Sequence, residues 1–256
     1  MRVYITGIAG FIGSTVAVQL KEQGHDVTGC DDLSSGSMAN VPPAIRWQVK
    51  DIADLDHVNA DVVIHLAAIS SARHPDTDLM WRTNLAATAH LLRITECRMV
   101  FASTCVAPNP LLGAYAGSKW SAEKLVTQQG VALRFGNVYG PKQRDWGDEP
   151  CVMAAWQKAT RDGKPLRMDG DGSQTRDFIH VDDVARAICL AVDTPAADGQ
   201  VLDICTGVQT SIKDVATLFD GPFVSAPRNP VDPDSMPQDP EPAAEVLGFR
   251  SEIEVL

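Results

Sequence analysis

Two rhythms of apolar and polar positions alternate along the first half of this chain. Val3, Tyr4 and Ile5 make a short β-prone run, and Ile12, Val16 and Leu20 then recur on one face of a helix. Gly24 stands where a left-handed cap would end that helix. Strand patterns return at 26–30, 45–49 and 62–66, the last an unbroken apolar run suited to a sheet buried on both faces. A long helix is expected from about 78 to 97, a fifth strand at 99–102, a helix from about 114 to 129 and a sixth strand at 131–135. Strands alternating with helices predict an α/β fold, a doubly wound parallel sheet with helices on both faces. Such sheets bind ligands outside the carboxyl ends of their strands. Gly7, Asp31, Asp51, Ala67 and Thr104 all fall at that edge.

The rhythm changes after Phe135. Residues 136–141 are turn chemistry, and a polar loop follows to 149. Helices are expected at 151–161, 182–192 and 211–219, with short strands at 165–168, 178–180 and 201–205. Six prolines between 226 and 242 mark that stretch as a loop. The expected organisation is a dinucleotide-binding domain over 1–140, with 176–194 packing back onto it. Residues 141–175 and 195–256 are expected to form a smaller substrate-binding lobe.

The turn after the first strand carries the first candidate chemistry. Gly7, Gly10 and Gly13 follow G-x-x-G-x-x-G, not the G-x-G-x-x-G of the general dinucleotide fingerprint. Glycine lets the backbone approach a pyrophosphate closely, and the helix behind it offers free N–H groups and the positive end of its dipole. An ordinary strand-to-helix turn could carry the same glycines. Asp31 strengthens the cofactor reading. It ends the second strand, roughly 20 residues beyond the glycines, where an acid meets the ribose 2′-hydroxyl of a Rossmann-like fold. A carboxylate there accepts from a diol and repels a 2′-phosphate, which favours NAD over NADP.

Composition narrows the class. A chain of 256 residues, 45% hydrophobic and 21% charged, has material for one large core or two lobes. No apolar run approaches the roughly 18 residues of a membrane span, and the chain opens on a strand instead of a secretory leader. Six cysteines show no C-x-x-C and no metal-like spacing with histidine. Cys30, Cys189 and Cys205 fall within strand and helix patterns as small buried hydrophobes, which suits the cytoplasm. A formal net charge of −11 disfavours nucleic acid and anionic membrane as partners. It also requires that a diphosphate be met by a local group of arginines.

Tyr115 and Lys119 stand at i and i+4 on one helical face. A free tyrosine, with a pKa of roughly 10, is a poor base at neutral pH, and a neighbouring cation favours its phenolate. Alone, the pair reads equally well as an exposed i,i+4 contact. Here it follows a cofactor fingerprint and a Ser103-Thr104 pair at the end of the fifth strand. With these pieces the chain resembles the extended short-chain dehydrogenases/reductases, in particular nucleotide-sugar epimerases and dehydratases. The matching segments run nearly end to end. They are Gly7-x-x-Gly10-Phe11-Ile12-Gly13, Asp31-Asp32-Leu33-Ser34-Ser35-Gly36, Asp51-Ile52, His65-Leu66-Ala67-Ala68 and Asn84. Then come Ser103-Thr104, Tyr115-x-x-x-Lys119, the run from Arg134 to Pro141 and the run from Gly170 to Val184.

The resemblance implies roles. Gly7, Gly10, Phe11, Ile12 and Gly13 would hold the NAD pyrophosphate, and Asp31, Asp32, Ser35 and Gly36 the adenosine ribose. Asp51 and Ile52 would border the adenine, and Leu66, Ala67 and Ala68 would lead to the nicotinamide. Tyr115 resembles the catalytic base, and Lys119 its partner and a ligand of the nicotinamide ribose. Asn137, Arg176 and Arg228 resemble ligands of the diphosphate substrate. The resemblance also implies a homodimer paired through the two long helices. Departures are visible. The segment between Thr104 and Tyr115 is short, and the catalytic hydroxyl slips by one: counting from the strand selects Thr104, counting back from Val106 selects Ser103, which otherwise contacts substrate. Relatives continue into a final helix beyond the equivalents of Leu247, Gly248 and Phe249. Cys105-Val106 stands where dehydratases carry Asp-Glu, which argues against dehydration. The implied activity is NAD-dependent epimerisation at C4 of a nucleotide-diphosphate sugar. A 4-ketoreductase or dehydrogenase, or a non-catalytic NAD sensor, are the alternatives.

Overall fold

Residues 1–72, 74–145, 150–228 and 232–255 are described in the computed structural model. The first half runs β1 (Arg2–Thr6), α1 (Phe11–Glu22), β2 (Asp26–Asp31), β3 (Arg46–Val49), β4 (Val62–His65), α2 (Thr77–Trp81), a π turn (Arg82–Ala86), α3 (Ala87–Ile94), β5 (Arg98–Thr104), α4 (Ala114–Val126) and β6 (Gly130–Phe135). The second half runs β7 (Asn137–Tyr139), α5 (Val152–Arg161), β8 (Leu166–Asp169), β9 (Thr175–Arg176), β10 (Phe178–His180), α6 (Val181–Asp193), β11 (Val201–Ile204), β12 (Thr210–Ser211), α7 (Ile212–Ala216), β13 (Phe223–Ala226) and α8 (Glu241–Leu247).

Seven strands join in the order β11-β6-β5-β4-β1-β2-β3, all neighbours parallel. The chain winds from β1 to one edge, then returns to place β4 on its other side. Beyond the carboxyl ends of β1 and β4 lies the switch point where such sheets open a crevice. The sheet is covered on both faces where its central strands β1, β4, β5 and β6 are mostly apolar and buried. Val3 and Ile5 pack with Val16 and Leu20 of α1 and Val184, Ile188 and Val192 of α6. Tyr4 and Val63 face the other way, with Leu91 of α3 and Val126 of α4. A separate core of Met153, Trp156, Leu166, Phe178, Ile212 and Val215 underlies the second half.

Three expectations need correction. The stretch 195–256, expected within the smaller lobe, divides: β11 is the edge strand of the central sheet, paired to β6, and Ala243, Leu247 and Phe249 join the main core. The proline-rich loop ends earlier than expected, because α8 starts at Glu241 with Pro242 in its first turn. Proline is tolerated there, since the first N–H groups of a helix have no partner inside it. The long helix ends at Ile94 rather than 97 and contains the π turn at 82–86. Among the described residues no helix is long and apolar enough to cross a membrane.

Candidate active site

The glycine turn is a cradle packed too tightly for side chains. Gly7 has φ +73°, and a Cβ there would lie 2.8 Å from the Ala67 backbone nitrogen at the end of β4. A Cβ on Gly13 would lie 2.1 Å from the Gly7 carbonyl oxygen. Helix α1 begins at Gly10 without a side-chain cap and without an acidic residue in its first turn, so its leading N–H groups face an anion site. Phe11 and Ile12 are half-buried there.

Asp31, at the end of β2, ties the two loops of this edge together. Its Oδ2 accepts from Ala9 N at 2.9 Å and its Oδ1 from Leu33 N at 2.8 Å. Burial pushes its carboxyl above the ordinary range, and the backbone N–H groups of Leu33, Ala9 and Gly10 pull it back. Each oxygen keeps lone-pair capacity for a hydroxyl. Gly36 must be glycine for the same reason, since a Cβ there would lie 2.7 Å from Asp31 Oδ1. Asp32 is exposed and caps Ser34 through its N–H at 2.9 Å and its hydroxyl at 2.6 Å; Ser35 is exposed beside it. Asp51 caps a short turn by accepting from Ala53 N at 2.9 Å, while the Ile52 side chain is buried in the core. Leu66, Ala67 and Ala68 are half-buried at the mouth of β4.

At the neighbouring edge, β5 and α4 bring Thr104, Tyr115 and Lys119 together. Thr104 lies beside the Tyr115 phenol. Burial pushes the half-buried Tyr115 phenol above its usual value, and the Thr104 hydroxyl partly offsets the rise. Lys119 Nζ donates to the Ala102 carbonyl at 2.8 Å and lies 4.6 Å above the centre of the Phe101 ring. Burial pushes its ammonium down to about 7, opposed by the charge of Glu123. Ser103, expected among the substrate ligands, is committed elsewhere: its hydroxyl donates to Glu123 Oε1 at 2.5 Å. Adjacent strand residues point to opposite faces, so Ser103 and Thr104 serve different partners.

The substrate-side residues lie on the second half. Asn137 is half-buried at the start of β7, which pairs with β10. Arg176 and Arg228 converge, as the acidic composition requires, on one acidic turn. Arg176 donates to Asp232 Oδ1 at 2.6 Å and to the Thr175 carbonyl at 2.6 Å. Arg228 donates to Asp234 Oδ1 at 2.5 Å and to the Asp232 carbonyl at 2.9 Å. A diphosphate has to share or displace those aspartates.

Residues 3–205 match the family model described as the NAD dependent epimerase/dehydratase family. The chain belongs to the NAD-dependent epimerase/dehydratase family. It is 32% identical over 269 residues to a UDP-glucose 4-epimerase of Mycolicibacterium smegmatis, covering 90% of this chain and 85% of that protein. It is similar to the crystal structure of a Thermotoga maritima UDP-glucose 4-epimerase with UDP-glucose, with TM-score 0.91, 28% identity and coverage of 100% and 95%. A Bacillus cereus UDP-glucuronic acid 4-epimerase in complex with UDP-glucuronic acid and NAD matches with TM-score 0.89, 26% identity and coverage of 100% and 95%. The NAD of this family fits the residues present, because the leading N–H groups of α1 have no side-chain cap and Asp31 offers acceptors for a ribose diol.

Within this epimerase/dehydratase framework, Asp232, Asp234 and Glu123 escaped the sequence reading, while His65 and Asn84 entered it only as parts of matching segments. Asp232 and Asp234 hold the arginines. Asn84, in the π turn, clasps Ile69 through N–H to Oδ1 at 2.8 Å and Nδ2 to carbonyl at 3.0 Å, and donates to Ser118 Oγ at 3.3 Å. His65 is sealed between Thr6 and Thr88, each at 2.8 Å. Glu123 had a visible signal, since it follows Tyr115 and Lys119 at the same spacing of four.

Proposed function

We propose that this protein is a nucleotide-sugar 4-epimerase that uses Tyr115 as its proton-transfer group. The observation that carries the reading is buried Lys119, held by the Ala102 carbonyl one helical turn from Tyr115, on the strand edge next to the glycine turn. Tyr115 would take the proton of the sugar 4-hydroxyl and return it to the epimer. Thr104, beside the phenol, would orient it for that transfer. Lys119 has three donors, one of them spent on Ala102; the others serve the phenolate and a ribose hydroxyl. Gly7, Gly10, Phe11, Ile12, Gly13, Asp31 and Gly36 would hold NAD, and Asn137, Arg176 and Arg228 the diphosphate of the substrate. When bound, NAD would supply the acceptor and donor for the C4 hydride and a positive ring that favours the Tyr115 phenolate. The relatives act on UDP-sugars by name, so UDP-glucose, UDP-N-acetylglucosamine and UDP-glucuronic acid are the first substrates to test. Two copies pair through the faces of α2 and α4, and the free cysteines suit a reducing cytoplasm. The test is proton NMR of each sugar nucleotide incubated with protein and NAD. Appearance of the C4 epimer is expected; absence of it for all three, with NAD bound, would sink the assignment.

A further inference from the structure

Glu123 has no exposed surface, and nothing in the chemistry above uses it. It follows Lys119 by one helical turn, as Lys119 follows Tyr115, so the three share one face of α4. Arg134 grips its carboxylate with both arms, Nε to Oε1 at 2.8 Å and Nη2 to Oε2 at 2.7 Å. Oε1 also accepts the Ser103 hydroxyl at 2.5 Å. Ser103 precedes Thr104 on β5 and Arg134 lies on β6, so this clamp ties the catalytic helix to two strand ends. A buried ion pair is weak evidence for stability, because desolvation takes back most of the Coulomb gain. Apolar residues would pack the same space, so the charge calls for another reason.

That reason lies at Lys119, which is 3% exposed. On α4 it sits one turn from Tyr115 and one turn from Glu123. From β5 it faces the Phe101 ring and the Ala102 carbonyl. From β4 it faces His65, which is held neutral by burial and by the Lys119 charge. Among these groups Glu123 is the anion, and it is the group that opposes the loss of charge at Lys119. We propose that Glu123 is a positioning residue: its clamped carboxylate keeps Lys119 an ammonium in its buried seat, and so keeps in place the cation that supports the Tyr115 phenolate. The inference rests on Tyr115 and Lys119 being the base and its partner.

The test follows Lys119 itself, by NMR of 13C-labelled lysine in the full chain without substrate, with Lys119→Met identifying the resonance. In Glu123→Gln, Lys119 should titrate at least roughly one pH unit lower than in the parent. The alkaline limb of kcat, read with UDP-galactose as probe, should move down with it. Arg134→Met breaks the same clamp but leaves the Glu123 carboxylate, so Lys119 should titrate no lower than in the parent. A clamp that only holds the helix predicts that both variants behave alike. An unchanged Lys119 titration in Glu123→Gln, or an equal fall in Arg134→Met, overturns the proposal. If Glu123→Gln does not fold, Arg134→Met decides alone: a fall overturns, a level or higher titration supports. Failure of the underlying reading shows separately, as full turnover in Lys119→Met while the titration shifts stand.

Discussion

Tyr115→Phe removes one oxygen and leaves the ring and helix α4 in place. If that oxygen moves the substrate proton, turnover should fall roughly 10²–10⁴-fold while NAD affinity barely changes. Thr104→Val should slow turnover as well, since Thr104 lies beside the phenol. Ser103→Ala should instead lower stability by about 1–2 kcal/mol with little kinetic effect, because it takes a hydrogen bond from buried Glu123. Steady-state rates and urea unfolding of the three variants decide this, and a kinetic loss larger in Ser103→Ala than in Thr104→Val would refute the assignment. His65 supplies a different test. Thr88 donates to the Asn84 carbonyl at 2.8 Å, so its oxygen accepts from His65 Nε2–H, and Thr6 donates to Nδ1. Burial, aided by Lys119, pushes the imidazole down to about 3. The folded state therefore stays neutral while the unfolded chain takes up a proton below about 6.5. Stability from this group is whole above that value and is lost toward pH 3, at up to about 1.4 kcal/mol per pH unit. His65→Gln should be less stable at pH 7, with a flatter fall between pH 6 and 4 in urea titrations; an equal slope would discount the burial of a neutral imidazole.

The first strand, its glycine turn and α1 form the element on which cofactor binding depends. Gly13→Ala places a Cβ 2.1 Å from the Gly7 carbonyl, so the turn must deform. NAD affinity should fall more than tenfold, because overpacking on this scale costs about 1–3 kcal/mol and falls on the cradle itself. Gly24→Ala is the control. Gly24 has φ +86° with nothing within 4 Å of a Cβ, so only backbone strain of about 1–2 kcal/mol is expected, with NAD affinity intact. Calorimetry on both variants separates a cradle from a mere turn, and equal losses of affinity would remove the distinction. Asp31, which holds both loops of this edge, should make NAD bind far better than NADP; titration of the two by fluorescence would expose an error if they bound equally. These elements were legible in the sequence because periodicity, glycine chemistry and one acid agreed. The partners of Arg176 and Arg228 were not, since Asp232 and Asp234 are plain loop residues whose role appears only when the chain folds back. The π turn at 82–86 leaves no mark in a helical pattern, and α8 was hidden by its own prolines, which are harmless in a first turn.

At the scale of the molecule, the faces of α2 and α4 remain to be covered. Leu91 and Val126 are fully buried, and Leu85 and Leu92 pack against that core, so the inward faces of the long helices are accounted for. Outward, Leu79, Trp81 and Trp120 are each 38% exposed, and Leu111 is 94% exposed in the turn before α4. Trp81 lies over Gly117, with ring atoms 3.2 Å from a Cβ built there, so α2 and α4 already form one continuous surface. Apolar surface gathered in this way marks an interaction site. A second copy of the chain, related by a two-fold axis, is the partner we propose for it, because such a copy would meet this face with the same residues. Every residue assigned to cofactor or substrate comes from one chain, so assembly and cofactor binding are separable. The double substitution Leu79→Glu, Trp120→Glu should convert a dimer to a monomer in sedimentation at micromolar concentration, and NAD should still bind. The change buries charge in the dimer while leaving both positions at the surface of the monomer, so the monomer should keep its folding stability within about 1 kcal/mol. A parent chain that sediments as a monomer would remove the dimer, and a double variant that loses NAD binding along with assembly would mean the two faces are coupled through α4, the helix that carries Tyr115, Lys119 and Glu123.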